Sequence, residues 1–195
     1  MSINLGKGDK ISLSKPGGGG GLTKVSVGLG WAKKKGFLGL GSTDVDLDAS
    51  CILFQADKAP VDAVFFGQLF SKDGSIRHTG DDRSGGGGEN DPNETIHVTL
   101  PDVPAQVNSI VFVVNSYSGE TFKGIPSAFC NVVDLDTGKE VARFNLATDG
   151  GAHRGFVIAK VVREGGGWQF AALGEVCSGR QQTIDDILPQ AAQLA

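Results

Sequence analysis

The chain has 195 residues, with 18 basic and 22 acidic side chains and a formal net charge of −4. This length predicts a single domain, 1–195, with a sizeable core, and the acidic balance gives no electrostatic footprint for nucleic acid. The first residues lack the apolar stretch of a signal peptide, and no run of about 18 apolar residues could span a membrane, so we expect a cytoplasmic protein.

Nine segments have the alternating or continuous apolar pattern of β-strands. In chain order they are 10–15, 23–31, 61–67, 95–100, 109–117, 127–135, 139–146, 155–162 and 168–174. Turns rich in Gly, Asp and Asn join them, and the turn at 136–138 predicts a hairpin. Many short strands at close spacing are typical of an all-β protein, here an antiparallel β-sandwich.

The C-terminal tail, 181–195, is the one segment with a helical pattern. Thr183 can cap a short helix, and Asp185 and Asp186 fall in its first turn, where the helix dipole favours acids. We expect Pro189 to end or kink this helix.

Three cysteines, Cys51, Cys130 and Cys177, are far apart and have no C-x-x-C spacing. An odd number of cysteines with apolar neighbours predicts reduced, structural thiols. Burial is expected for Cys51 and Cys130, which lie in apolar runs.

The stretch STDVDLDAS, residues 42–50, places three aspartates at alternate positions. In a strand, Asp44, Asp46 and Asp48 share one face, whereas Val45 and Leu47 face the core. The carboxylates would lie ~7 Å apart and repel one another, so something should offset them. A solvated edge strand is one explanation, and a hard cation such as Ca²⁺, which takes about six to eight oxygen ligands, is the other.

Geometry limits how these aspartates could bind calcium. In an extended strand Asp44 and Asp48 are ~13 Å apart at the backbone, beyond the reach of one ion. Either the segment bends or two ions bind, and we expect two.

A second acidic stretch, residues 79–95, supplies further oxygen ligands around a run of four glycines. Glycines let backbone groups approach an ion, so this loop is a candidate second half of a calcium site; the alternative is a disordered acidic loop. Its acids are Asp81, Asp82, Glu89, Asp91 and Glu94.

Four segments together resemble the TerD family of tellurite-resistance and general stress proteins. They are GLGW at 28–31, DVDLDAS at 44–50, VFFGQLFSKDGSIRHTGDD at 64–82 and the acidic glycine loop. The resemblance covers nearly the whole chain. It implies a β-sandwich that binds calcium through the two acidic segments, encoded among bacterial genes linked to tellurite, oxidative stress and phage or colicin resistance.

The family's motifs map onto this chain unevenly. Asp44, Asp46 and Asp48 match the first motif, and Asp81 matches the first aspartate of the second. Asp82 stands where the family commonly has asparagine, and the glycine loop is about two residues longer than usual. The candidate calcium ligands are therefore Asp44, Asp46, Asp48, Asp81, Asp82, Glu89, Asp91 and Glu94.

A basic and apolar loop, KKKGFLGLGS at 33–42, directly precedes the first aspartates. One hypothesis is that it docks, beside calcium, to a partner such as another stress-response protein or to an anionic membrane surface. The alternative is that its apolar residues fold back on the sandwich.

Catalysis has little support in the sequence, which has no P-loop, G-x-G-x-x-G or complete G-x-S-x-G motif. A hydrolase that uses the acidic cleft remains an alternative. His78 could orient a ligating carboxylate, but we interpret it as a turn residue. The sequence thus predicts a non-catalytic calcium-binding stress or scaffold module, with the acids of 44–48 and 81–94 as its site.

Overall fold

The computed structural model describes residues 3–4, 8–12, 23–35, 41–86, 90–177 and 184–195. Strands dominate these residues, which confirms the predicted all-β class. The strands are β1 (Ile3–Asn4), β2 (Lys10–Ser12), β3 (Lys24–Trp31), β4 (Lys34–Lys35), β5 (Ser42–Thr43), β6 (Leu47–Phe54), β7 (Pro60–Val64), β8 (Ile76–His78), β9 (Glu94–Thr99), β10 (Ser109–Ser116), β11 (Ala128–Asp134), β12 (Lys139–Asn145), β13 (Gly155–Glu164) and β14 (Gly167–Cys177). The helices are α1 (Leu146–Asp149) and α2 (Leu188–Leu194), with 3₁₀ turns at Leu100–Asp102, Phe122–Gly124 and Ile184–Asp186.

Within the described residues the strands form two six-stranded sheets and a short ribbon of β4 and β5. Sheet 1 has the order β1-β12-β11-β3-β9-β8, and sheet 2 has the order β2-β14-β13-β10-β6-β7. Pairing is antiparallel except between β1 and β12, which are parallel. The predicted antiparallel β-sandwich is therefore confirmed.

The main core lies between the two sheets, because alternate residues of each strand face inward. Val45 and Leu47 are both completely buried in this core, which confirms their predicted direction. The sheet 1 side includes Val25, Val27, Leu29, Ile96, Val98 and Cys130, and the sheet 2 side includes Ala49, Cys51, Leu53, Ile110, Phe112 and Phe156.

A third layer covers part of the outer face of sheet 2. Ile187 and Ala191, both completely buried, pack there against apolar side chains of β6, β10 and β13. The predicted C-terminal helix is thus confirmed, but the prediction for Pro189 is wrong. This proline lies in the first turn of α2, where a missing N–H breaks no helical hydrogen bond. Thr183 lies outside the described residues.

Three local differences from the predicted strands affect the acidic segments. Strand β6 begins at Leu47, so Asp44 and Asp46 precede it. Strand β7 ends at Val64, and a tight turn with reciprocal backbone hydrogen bonds between Phe65 and Gln68 follows it. Strand β8 was not predicted, because three residues are too few to show periodicity.

The three cysteines are free, as predicted. Burial was predicted for Cys51 and Cys130, and the structure shows that Cys177 is buried too. Burial raises the pKa of Cys130 and of Cys177 to about 12 and also raises that of Cys51. These thiols are therefore protonated and poor nucleophiles at neutral pH. None of the helices in the described ranges is long and apolar enough to cross a membrane.

Replacing Ile187 with alanine should show how much the helical layer stabilises sheet 2. We expect Ile187→Ala to lower the free energy of unfolding by about 2–4 kcal/mol, because it removes a fully buried side chain. The matched control is Gln193→Ala, an exposed position on α2, with a change below about 0.5 kcal/mol. Urea denaturation measures both, and equal effects would show that the helix is not packed on the sheet.

Candidate metal centre

Three carboxylates converge at one end of the sandwich. Asp46, Asp48 and Asp81 each offer an oxygen, and these oxygens all lie within 4.8 Å of one another. Ligands of one Ca²⁺ sit about 2.3–2.6 Å from the ion, so two of them are at most ~5 Å apart. The three side chains therefore have the spacing that a single cation requires.

These carboxylates come from the two acidic segments and from two different sheets. Asp46 precedes β6 of sheet 2 and Asp48 lies in it, whereas Asp81 follows β8 of sheet 1. Asp46 lies outside the regular strands, directly before β6 begins at Leu47. The cluster consequently forms only when the two sheets are packed together.

Asp48 is the most buried member, with 2% of its surface exposed. It lies directly across from Asn115 of β10, whose Nδ2 donates to Asp48 Oδ2 at 2.8 Å. By strand alternation both side chains are on the outer face of sheet 2, the same face that α2 covers further along. One amide donor is the only hydrogen bond that the structure shows for this carboxylate within the described ranges.

The backbone of Asp46 is fixed by the segment that follows β10. Tyr117 N donates to Asp46 O at 2.9 Å, and Asp46 N donates to Ser118 Oγ at 3.1 Å. The Oδ1 atom of Asp46 is buried and has no hydrogen-bond partner among the described residues. Buried polar atoms are normally hydrogen-bonded or bound to a cation, so this oxygen is available as a ligand.

Burial and mutual repulsion raise the pKa values of both sheet 2 carboxyls. Burial raises the pKa of Asp48 to about 7, with further contributions from Glu94 and Asp46. Burial and Asp81 raise the pKa of Asp46 to about 6, against the opposing effect of Arg83. In the absence of a cation, each of these two carboxyl groups is therefore partly protonated near neutral pH.

Asp82 has a different role from its neighbour Asp81. Its Oδ1 accepts from the backbone N–H groups of Ser84 and Gly85 and from Ser84 Oγ, and its Oδ2 accepts from Asn93 Nδ2. Burial would raise the pKa of Asp82, but these hydrogen bonds together outweigh it and lower the pKa. Asp82 thus organises the loop, while Asp81 and Arg83 on either side line the pocket.

Glu94 also uses its carboxylate within the protein. Its Oε2 accepts from Ala49 N at 2.7 Å, and its Oε1 accepts from Asp82 N at 3.1 Å. His78 Nε2 lies 3.4 Å from Glu94 Oε2 and 3.2 Å from Ala49 O. Gly80 N donates to His78 Nδ1, so the ring hydrogen is on Nε2 and points toward these two oxygens. The interpretation of His78 as a turn residue is therefore wrong: it is a buried residue of β8.

Trp31 connects the two acidic segments. Its Nε1 donates to Val45 O at 2.8 Å, and its backbone N donates to Asn93 Oδ1 at 2.9 Å. Gly85 has a φ of +68°, and a Cβ there would approach Trp31 Nε1 to 2.4 Å, so the loop needs glycine at this position. The end of β3 thereby fixes the spacing between the segments.

The other candidate ligands lie apart from the cluster or outside the described residues. Asp44 is exposed and pairs with Lys33 at 2.8 Å. Asp91 is exposed, and its carbonyl oxygen would lie 3.2 Å from a Cβ on Gly30. Glu89 and the tip of the loop 33–42, residues 36–40, are outside the described residues.

The cluster opens to solvent through a pocket of about 240 Å³. Its mouth carries Phe66, Tyr117 and Arg83, and the two aromatic rings meet edge to face with centroids 5.8 Å apart. The sequence did not single out these residues or Asn115 as parts of the site. Asn115 becomes a partner of Asp48 only through the register of β6 and β10. Phe66 was missed because the strand was predicted to continue to residue 67, whereas the chain turns between Phe65 and Gln68.

The fold and the site together define an all-β sandwich with an acidic, solvent-open corner, and comparison with known proteins places the chain in a family. The TerD domain model matches residues 1–188, so the chain belongs to the TerD family. It is 43% identical to tellurium resistance protein TerZ of Serratia marcescens, over 95% of this chain and 94% of that protein. It is 37% identical to stress response protein SCP2 of Bacillus subtilis (strain 168), over 96% and 98% of the two chains.

A solved structure supports the fold alone. The crystal structure of a homologue of telluride resistance protein (TerD) from Streptomyces coelicolor A3(2) matches with a TM-score of 0.66 and 21% identity. The match covers 81% of this chain and 93% of that chain.

The raised pKa of Asp48 leads to a prediction for the metal-free protein. Its folded-state pKa of about 7 lies above the ordinary aspartate value of 3.8, so its contribution to stability is full below about pH 4 and is lost as pH rises through 7. Replacing Asp48 with asparagine keeps the shape and removes the charge. We expect Asp48→Asn to raise the free energy of unfolding at pH 8 by about 1–2 kcal/mol, less than the full shift because the pocket is open.

Chemical denaturation in chelator at pH 5 and pH 8 tests this prediction. The stabilisation should be clearly larger at pH 8, where wild-type Asp48 is ionised. A lower free energy of unfolding for Asp48→Asn than for the wild type at pH 8 would show that the ionised carboxylate does not destabilise the metal-free fold.

Proposed function

We propose that this protein is a calcium-binding, non-catalytic module of the tellurite-resistance and stress-response type. The observation that supports the proposal most directly is the convergence of Asp46, Asp48 and Asp81, with oxygens within 4.8 Å of one another. The names of the relatives support the biological setting, since they are resistance and stress-response proteins.

The donor set favours a hard cation. Its ligand atoms are carboxylate oxygens, which calcium prefers, and the nearby His78 uses both ring nitrogens in other contacts. The three carboxylates, which include the unpartnered Oδ1 of Asp46, would give a divalent ion charge compensation and part of its coordination shell. Calcium tolerates the irregular arrangement that an open pocket provides, whereas magnesium demands near-ideal octahedral geometry.

The stoichiometry in this proposal is one ion at the cluster. Asp44, which the sequence grouped with Asp46 and Asp48, is turned toward Lys33. Asp82 and Glu94 would not contact the ion. They would hold the loop and the backbone of β6 in place around the site. A titration endpoint of one or two ions per chain decides between this arrangement and the two-ion expectation from the sequence.

The cluster is less suited to carboxylate-pair hydrolysis. A general acid and its partner in glycoside hydrolysis need a substrate between them and stand at least about 5 Å apart. The three oxygens here all lie within 4.8 Å of one another, which leaves less room than such a pair needs. This convergence favours a bound cation over a hydrolytic pair.

Calcium should stabilise the protein measurably. A ligand that binds only the folded state raises the melting temperature, and at a free concentration 100 times the Kd the gain is about 2.7 kcal/mol. We expect calcium added to chelator-treated protein to raise the melting temperature by several degrees, with heat of binding in calorimetry. Absence of both signals would contradict the proposed function.

Single substitutions should separate ligands from other acids of the same segments. Asp81→Asn removes an exposed member of the cluster, and we expect it to weaken calcium binding at least about tenfold, or ~1.4 kcal/mol. The matched control, Asp44→Asn, removes the same charge from a carboxylate bound to Lys33, and we expect less than about a threefold change. Equal losses measured by calorimetry would indicate general charge attraction instead of a site.

A further inference from the structure

The pocket above the acidic cluster contains a positively charged side chain of the protein itself. Arg83 lines this pocket together with Asp46, Asp48 and Asp81. Its Nε lies 4.0 Å from Asp46 Oδ2, at the limit of an ion pair, and 76% of its side chain is exposed. Among the described residues that line the pocket, Arg83 is the one cation.

The loop holds the backbone of Arg83 firmly but leaves its side chain free to move. Asp82 Oδ1 accepts from the N–H groups of Ser84 and Gly85. Arg83 lies between Asp82 and Ser84, so these hydrogen bonds hold its backbone at the pocket rim. The contact with Asp46 is the only polar contact that the structure shows for the Arg83 guanidinium within the described ranges. The guanidinium can therefore turn into solvent without breaking a hydrogen bond to any of the described residues.

Electrostatics determines what this arrangement does. The positive charge of Arg83, 4.0 Å from Asp46 Oδ2, offsets part of the repulsion among the carboxylates when no metal is present. A divalent ion among the same carboxylates would repel the guanidinium and replace it as the partner of the Asp46 carboxylate. The two cations thus compete for one group of oxygens.

We propose that Arg83 is a built-in counter-cation of the acidic corner, which partly neutralises the metal-free pocket and is displaced when the metal ion enters. The proposal rests on the proposed calcium site and adds a residue that sets its affinity. Arg83 lowers the affinity for the ion. In the metal-free protein it reduces the repulsion among the carboxylates. It positions no ligand and contacts no metal.

Calcium calorimetry on three variants tests the competition. Arg83→Gln should bind calcium about three- to tenfold more tightly than the wild type, because an opposing charge a few ångströms from the ion is removed. Arg83→Lys keeps the charge and should stay within about twofold of the wild type. Arg77→Gln, an exposed arginine of β8 stacked on Phe70, removes the same charge outside the pocket and should also stay within about twofold.

A double-mutant cycle in chelator tests the metal-free half of the proposal. At pH 8, Arg83→Gln should lower the melting temperature by about 1–3 °C in the wild-type background and by less in the Asp46→Asn background. Additive shifts would overturn the counter-cation role whether or not calcium binds.

The outcomes separate this proposal from the proposed function. Calcium binding in the wild type with the same affinity in Arg83→Gln would overturn the role of Arg83 and leave the calcium site standing. No calcium binding in any variant would overturn the proposed function and the competition with it, while the cycle in chelator would still report on the pairing of Arg83 with Asp46. Tighter binding in both Arg83→Gln and Arg77→Gln would indicate a general charge effect and overturn the proposal as well.

Discussion

The acidic corner depends on two backbone groups of β6 that have no strand partner. Strand β7 ends at Val64, which pairs with Cys51, so the edge of β6 is open at Ala49. Glu94 accepts from the Ala49 N–H, and His78 points its Nε2 hydrogen toward the Ala49 carbonyl. Buried backbone groups left without partners would cost about 1–3 kcal/mol each, so these contacts fasten sheet 1 to sheet 2 at the place where the two acidic segments meet.

The acids of this corner divide according to whether the protein supplies them with hydrogen-bond donors. Asp82 and Glu94 accept from backbone N–H groups and hold the loop and the sheet edge in place. Asp46 and Asp48 have few donors, are substantially buried, and therefore have raised pKa values. The first pair stabilises the fold as it stands, and the second pair stabilises it fully only in the presence of a proton or a cation.

Local patterns in the sequence predicted much of this structure. Alternation placed Val45 and Leu47 in the core, apolar periodicity identified most of the long strands, and the aspartates at 46, 48 and 81 were predicted as candidate ligands. What could not be predicted is non-local. Asp81 and Asp82 are adjacent and chemically identical. What distinguishes them is that Asp82 accepts hydrogen bonds from Asn93 and Ser84 in the folded protein. Likewise, Asp44 differs from Asp46 because Lys33 is within reach of its carboxylate.

Trp31 gives the corner an optical property. Its indole N–H is bonded to Val45 O, directly before Asp46, and its ring lies against Gly85 in the second acidic loop. The chain has two tryptophans and one tyrosine, and that tyrosine, Tyr117, stands at the pocket mouth. Trp168 is stacked under Arg163 and is absent from the pocket lining. Two of the three fluorescent side chains therefore sit where the segments join, and the ultraviolet emission of the unlabelled protein carries a signal from this corner.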